Sequence, residues 1–189
     1  MTDRFDDQVI EILKRSGAGF MPSDTIYGLS CRALDEQAVG RAQKLKKRDS
    51  NKPLIVLISD VEMLNLLSIS SSEVEPAKKY WPGPLTLICS APRAPGWLQL
   101  GTKTLAVRIP SNKDLVNLIQ KVGPIVSTSA NLQGQKPLTT AAKAIKVFGE
   151  KLDFYIDAGK LTGKPSTLVE VEDGKLKIIR QGAMKLNEV

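Results

Sequence analysis

Apolar and polar residues along the chain divide it into short helices and short strands that follow one another. Residues 5–16 carry Val9, Ile10, Ile12 and Leu13 on one helical face, and Gly17 follows as a stop. Ala18 to Met21 predicts a short strand, which runs into PSDTIYGLS (22–30), read as a polar loop containing Gly28. Asp35 is placed to cap a helix to about Leu45, with Ala38, Ala42 and Leu45 at helical spacing. Leu54 to Ile58 is apolar at every position, which predicts a central strand buried on both faces. Asp60 predicts the cap of a short helix to Leu67. Ser72-Glu73-Val74-Glu75 reads as a capping box for a helix ending at Trp81, where Pro82-Gly83-Pro84 stops it. Strands at 85–90 and 104–109 flank a Pro/Gly-containing loop over 91–103. A helix at 113–121, a strand at 125–127 and a polar loop, STSANLQGQK (127–136), come next. Thr139 or Thr140 then caps a helix to about Val147. Strands are predicted at 154–156, 167–171 and 175–179, the last two joined by the hairpin signal Asp173-Gly174.

Alternating helices and strands with at least one hairpin predict an α/β (α+β) fold with a mixed sheet. No repeat, low-complexity segment or linker divides the 189 residues, so the expectation is one domain over 1–189. Composition is that of a water-soluble chain, 42% hydrophobic and 25% charged. The N-terminus is polar and acidic, unlike a signal peptide, and no apolar run reaches the roughly 20 residues that span a bilayer. A cytoplasmic protein is expected.

Charge narrows the chemistry. Lys and Arg number 27 against 20 Asp and Glu, a net +7, which favours an anionic partner such as a nucleotide or RNA. Histidine is absent. That excludes Ser-His-Asp and Cys-His catalysis and His-based zinc sites. Cys31 and Cys89 form no metal-binding or disulfide pattern and are expected to be small buried residues.

Polar residues cluster at the predicted strand ends: Ser23-Asp24-Thr25 with Tyr27-Gly28, Arg48 with Lys52, Thr104 with Arg108, Ser127 to Asn131, and Ser166-Thr167 with Arg180. Strand ends of open α/β sheets are where ligands bind, and Arg forks with hydroxyl donors suit phosphate or carboxylate oxygens. Arg108 is one charge in an otherwise apolar strand and needs a buried or ligand partner. Lys44, Lys46, Lys47, Arg48 and Lys52 lead into strand 54–58; of these, Lys44, Lys46 and Lys47 read as a solvated helix end. GKLTGKPS (159–166) imitates a P-loop, but only three residues separate its glycines and Pro165 opposes the helix that should follow. Gly17-Ala18-Gly19 lacks the third glycine of a dinucleotide fingerprint, since Pro22 stands there.

PSDTIYGL (22–29), KKRDSNKPL (46–54), YWPGPLTLI (80–88), LAVRIP (105–110), STSANLQG (127–134), PSTLVEV (165–171) and IIRQGA (178–183) occur in this order. Together they resemble the YrdC-type threonylcarbamoyl-AMP synthases in their short form, over about residues 8–183. The resemblance implies a YrdC-like twisted sheet with flanking helices and an open, positively charged cavity. It implies the conversion of L-threonine, bicarbonate or CO2, and ATP into threonylcarbamoyl-AMP and pyrophosphate. A transferase partner then uses the product at adenosine 37 of tRNAs reading ANN codons. Arg48 and Lys52 are implied as catalytic and ATP-facing. Thr25, Arg108, Ser127 and Ser166 would bind threonine, and Thr104, Ser129, Asn131 and Arg180 the nucleotide. Mg²⁺ is expected on the phosphates, with no dedicated protein metal site. Tyr27 and Trp81 are implied to be packing residues. Asp49, Leu57, Ser30 and Gln133 depart from the usual family pattern. Two other readings stand beside this one. The first is a non-catalytic module binding tRNA or double-stranded RNA, which low aromatic content (5%) disfavours as a stacking platform. The second is a carbamoyl-adenylating domain of the hydrogenase-maturation type.

Overall fold

The computed structural model describes residues 1–2, 4–46, 54–132, 134–172 and 174–186. In chain order these form α1 (Asp7–Lys14), β1 (Ala18–Pro22), β2 (Tyr27–Arg32), α2 (Glu36–Lys46), β3 (Ile55–Leu57), α3 (Glu75–Lys78), β4 (Leu85–Ser90), α4 (Gly96–Gln99), β5 (Thr104–Arg108), α5 (Lys113–Val122), β6 (Ile125–Ser129), α6 (Ala141–Phe148), β7 (Phe154–Tyr155), β8 (Thr167–Glu172) and β9 (Lys175–Arg180). Short 3-10 turns occupy Glu62–Leu67, Ser71–Val74 and Gly149–Lys151. The strands make one sheet in the order β7-β1-β2-β6-β3-β5-β4-β8-β9. Its ladders are parallel at β1/β7, β3/β5 and β4/β8 and antiparallel elsewhere, the mixed sheet expected.

Helix starts follow the local chemistry. Asp6, Asn112 and Thr140 each accept a hydrogen bond from a first-turn N–H of α1, α5 and α6, satisfying donors a helix leaves free. Asp35 does the same for Ala38 in α2. The capping box at Ser72 is not used. Ser70 caps instead, and the segment splits into a 3-10 turn and one turn of α3 carrying Pro76 near its start.

The larger correction concerns residues 27–30, the second part of the segment 22–30 that the polar pattern assigns to a loop. They belong to β2, buried over Tyr27 to Cys31 between β1 and β6. The loop contracts to a tight turn in which the Ser23 backbone N–H and hydroxyl both donate to Ile26 O, at 3.2 and 2.8 Å. β3 lies between β6 and β5, with Val56 and Leu57 buried, as its unbroken apolar run requires.

Two apolar clusters cover the sheet. On one face α2, α3, α4 and α6 pack over Val56, Leu87, Val107, Val126 and Val169. On the other, α1 and α5 cover Met21, Leu57 and Ile125. This second cover stops short. By strand alternation, Ile55, Ala106, Ile88 and Leu168 share Leu57's face. They lie beyond the helices and floor an open cavity.

Candidate anion-binding site

The cavity measures about 480 Å³, within the range of small-molecule sites. Its floor is apolar: Ile55, Ile88, Ala106 and Leu168. Its walls carry three cations, Lys46, Arg108 and Arg180, and a set of hydroxyls including Thr25, Ser127, Ser129 and Ser166. No carboxylate is among the described lining residues. Cations and hydroxyl donors that outnumber the one described carboxylate beside them, Asp24 behind Arg108, make a receptor for an anionic ligand.

Most of the expected site residues meet here. Thr25, Arg108, Ser127, Ser129, Asn131, Ser166 and Arg180 all line the cavity. Arg48 and Lys52 lie outside the described residues, as do Lys47, Asp49 and Gln133. Thr104 is not brought in with the others. It sits at the opposite end of β5 from Arg108, on the same strand face, with its hydroxyl donating to Thr102 Oγ1 at 3.0 Å. Four residues of strand span about 13 Å, so a ligand touching both Arg108 and Thr104 must be extended.

Lys46 departs from expectation. It is no solvated helix end: it is 7% exposed, and its Nζ faces four oxygens among the described residues. These are Thr128 Oγ1 at 2.8 Å, Ser129 O at 2.7 Å, Ser129 Oγ at 2.8 Å and Asn131 Oδ1 at 3.2 Å. Three N–H groups fix its direction across the end of β6. A signal existed in the sequence, because Ala38, Ala42 and Lys46 fall at i, i+4 and i+8 and share the buried face of α2. Lys44 is exposed, as expected.

Ser129 and Asn131 hold this arrangement together. The Ser129 hydroxyl donates to Asn131 Oδ1 at 2.7 Å, and Asn131 Nδ2 donates to Leu132 O and Gln135 O at 3.0 and 2.7 Å. Asn131 thus organises the loop after β6 as well as facing the cavity. On the opposite wall, Ser166 and Thr86 share a hydroxyl contact of 2.7 Å, and Arg180 Nη2 donates to Ser166 O at 2.9 Å. Gly28 has its own geometric reason. A Cβ there would fall 2.4 Å from Ser127 Oγ, so only glycine lets that hydroxyl lie over β2 toward the cavity.

Arg108 is 4% exposed. Burial pulls its guanidinium below the ordinary arginine range; Asp24 opposes this and Arg180 adds to it. Nη1 donates to Thr25 Oγ1 at 3.3 Å, and Nη2 lies 3.2 Å from Asp24 Oδ1. Tyr27 is a packing residue. Its ring stacks on Phe20 at 4.3 Å, and its hydroxyl donates to Gly159 O while accepting from Ala158 N. Trp81 is likewise tied to the backbone, donating to Leu85 O at 2.7 Å. Residues 159–166 run as irregular backbone into β8, with no helix after them, so the P-loop imitation is without structural counterpart. Among the described residues, no group of three or more His, Cys, Asp or Glu is placed to hold a metal ion, and no helix is long and apolar enough to cross a membrane.

Comparison with known proteins adds to this picture. The family model of the Sua5/YciO/YrdC group, described as telomere recombination, matches residues 11–182. The chain is 34% identical over 188 residues to a threonylcarbamoyl-AMP synthase of Pyrococcus abyssi, covering 93% of this chain but 55% of that protein. It is 32% identical over 177 residues to a threonylcarbamoyl-AMP synthase of Chromobacterium violaceum, with 92% of each covered. The crystal structure of P. abyssi Sua5 complexed with L-threonine superposes with a TM-score of 0.83 at 32% identity, covering 93% of this chain and 53% of that one.

Proposed function

The chain belongs to the Sua5/YciO/YrdC family, and on that premise we propose that it is an L-threonylcarbamoyladenylate synthase. The observation that carries the proposal is the cavity itself, in which three cations and several hydroxyls converge with no carboxylate among the described lining residues. The threonine amine adds to CO2, forming an N–C bond and losing a proton to solvent, which leaves a carbamate. A carbamate oxygen attacks the α-phosphorus of ATP, the bond to the leaving oxygen breaks, and pyrophosphate departs. Neither step needs an imidazole. Positioning and charge neutralisation carry the reaction, which suits a chain without histidine.

Arg108 takes the threonine carboxylate, with Thr25, Ser127 and Ser166 beside it. Lys46 and Arg180 face the phosphates, together with Arg48 and Lys52 from the segment before β3. Ser129 and Asn131 hold Lys46 in place and border the nucleotide. An extended ATP lying along the apolar floor reaches toward Thr104. Mg²⁺ would be held by the ATP phosphates and would shield their negative charge; with no carboxylate among the described lining residues, the cavity fits an ion carried by substrate rather than by the protein. The adenylate then passes to a transferase partner for modification of tRNA adenosine 37, in the cytoplasm. The RNA-module reading is not favoured, because Lys46 and Arg108 are recessed and nearly inaccessible to a phosphate backbone.

The purified chain, incubated with ATP, Mg²⁺, bicarbonate and threonine, is expected to release pyrophosphate only when threonine is present. Release that ignores threonine, or none at all, defeats the proposal.

A further inference from the structure

We propose that Asp24 is a positioning residue that aims the Arg108 guanidinium at the carboxylate of the amino-acid substrate; this rests on the assignment of Arg108 to that carboxylate. Asp24 is outside the cavity lining, yet its side chain is 5% exposed, as is that of Arg108. A buried carboxylate needs a reason. Its two oxygens have different tasks. Oδ2 accepts from Ser111 N at 3.1 Å and from Ser111 Oγ at 3.2 Å. These two bonds fix the carboxylate to the loop that follows β5. Oδ1 lies 3.2 Å from Arg108 Nη2 but is not aligned for a hydrogen bond. Asp24 is therefore anchored by Ser111 and offers Arg108 charge rather than a full share of its lone pairs.

The guanidinium is correspondingly under-used. Nη1 reaches Thr25 Oγ1 at a long 3.3 Å, and Nε is buried with no hydrogen-bond partner among the described residues. A buried arginine with spare donors is poised for an acceptor that arrives with the ligand, and a carboxylate matches its fork. Without Asp24 the guanidinium would lose the charge that holds Nη2 and would turn toward other acceptors. Asp24 thus links the turn after β1, which carries Thr25, to the end of β5, which carries Arg108.

The test is a double-mutant cycle on the full chain, with KM for threonine and for ATP measured by pyrophosphate release. Asp24→Asn keeps the shape and the Ser111 contact but removes the charge. It is expected to raise the threonine KM about tenfold, the size of coupling between charged neighbours, with the ATP KM moving by less than about twofold. Arg108→Gln is expected to raise the threonine KM at least as much. In the Arg108→Gln background, Asp24→Asn should add less than about a further twofold, since it acts through Arg108. An unchanged or lowered threonine KM in Asp24→Asn overturns the inference. So does an equal rise in the ATP KM, or a full effect in the Arg108→Gln background. If Arg108→Gln leaves the threonine KM unchanged, the carboxylate assignment itself falls, and the inference with it. Should Asp24→Asn fail to fold, Ser111→Ala removes one anchor of Asp24 and should raise the threonine KM about two- to threefold. No change there overturns the inference as well.

Discussion

Lys46→Met removes the cation from the four oxygens around it and leaves a chain of similar length. Hydrogen bonds to a charged group contribute about 1.5–3 kcal/mol each, but the acceptors here recover part of that by pairing among themselves. Ser129 Oγ already donates to Asn131 Oδ1. The net loss of folding stability is therefore about 2–3 kcal/mol. At 2–4 °C per kcal/mol for a chain of this size, Tm falls by about 4–12 °C. Activity suffers more. The Lys46 N–H groups point at protein oxygens, so the side chain acts on the phosphates as a charge rather than as a donor, and losing it should lower kcat by about tenfold to a hundredfold. The assay is threonine-dependent pyrophosphate release, at a temperature where melting curves show the variant folded. Lys44→Met is the control: it removes the same charge from the same helix at an exposed position, and should cost less than about twofold, as charges at solvated sites do. The assignment is refuted if Lys46→Met keeps a third or so of wild-type kcat, or if Lys44→Met loses as much.

Two further outcomes follow from particular contacts. Gly163→Ala would place a Cβ 2.6 Å from the Thr25 carbonyl oxygen, a backbone atom at the cavity rim, so the 159–166 loop must shift. A loss of about 1–3 kcal/mol and a severalfold rise in threonine KM are expected; wild-type values for both would show the contact to be readily relieved. Burial pushes the Cys31 and Cys89 thiols up to about 12, with smaller contributions from Asp35 and Glu73. The folded chain therefore favours the neutral thiols, and unfolding releases them to ionise near 9.0. Their contribution is complete below pH 9.0 and is lost as pH rises from there toward 12. Both thiols should resist maleimide at pH 8 and react after unfolding; labelling of the native chain within minutes would contradict this.

The sequence by itself determined a good deal, wherever the cause is local. The unbroken apolar run at 54–58 required a central strand, and β3 lies between β6 and β5. Amphipathic spacing marked α1, and a threonine cap marked the start of α6; the caps Asp6 and Asn112 emerged only with the structure. Arg108, the one charge in an apolar strand, demanded a partner, and the fold supplies Asp24 and Thr25. Tertiary structure decided the rest. Residues 27–30 read as loop because Gly28 and Ser30 interrupt the apolar pattern. They are strand because β1 and β6 supply backbone partners on both sides, and Ser30 finds the Ser127 hydroxyl at 3.3 Å. Lys46 looked like one of three solvated cations at a helix end, and its burial depends on acceptors more than eighty residues further along the chain. Thr104 and Arg108 stand four positions apart on the same strand face, yet only Arg108 borders the cavity, because they stand at opposite ends of β5. Periodicity reports which side of an element is apolar. Whether a polar group on that side becomes a bound side chain or a solvated one depends on which distant oxygens the packed sheet brings within 3 Å or so of it.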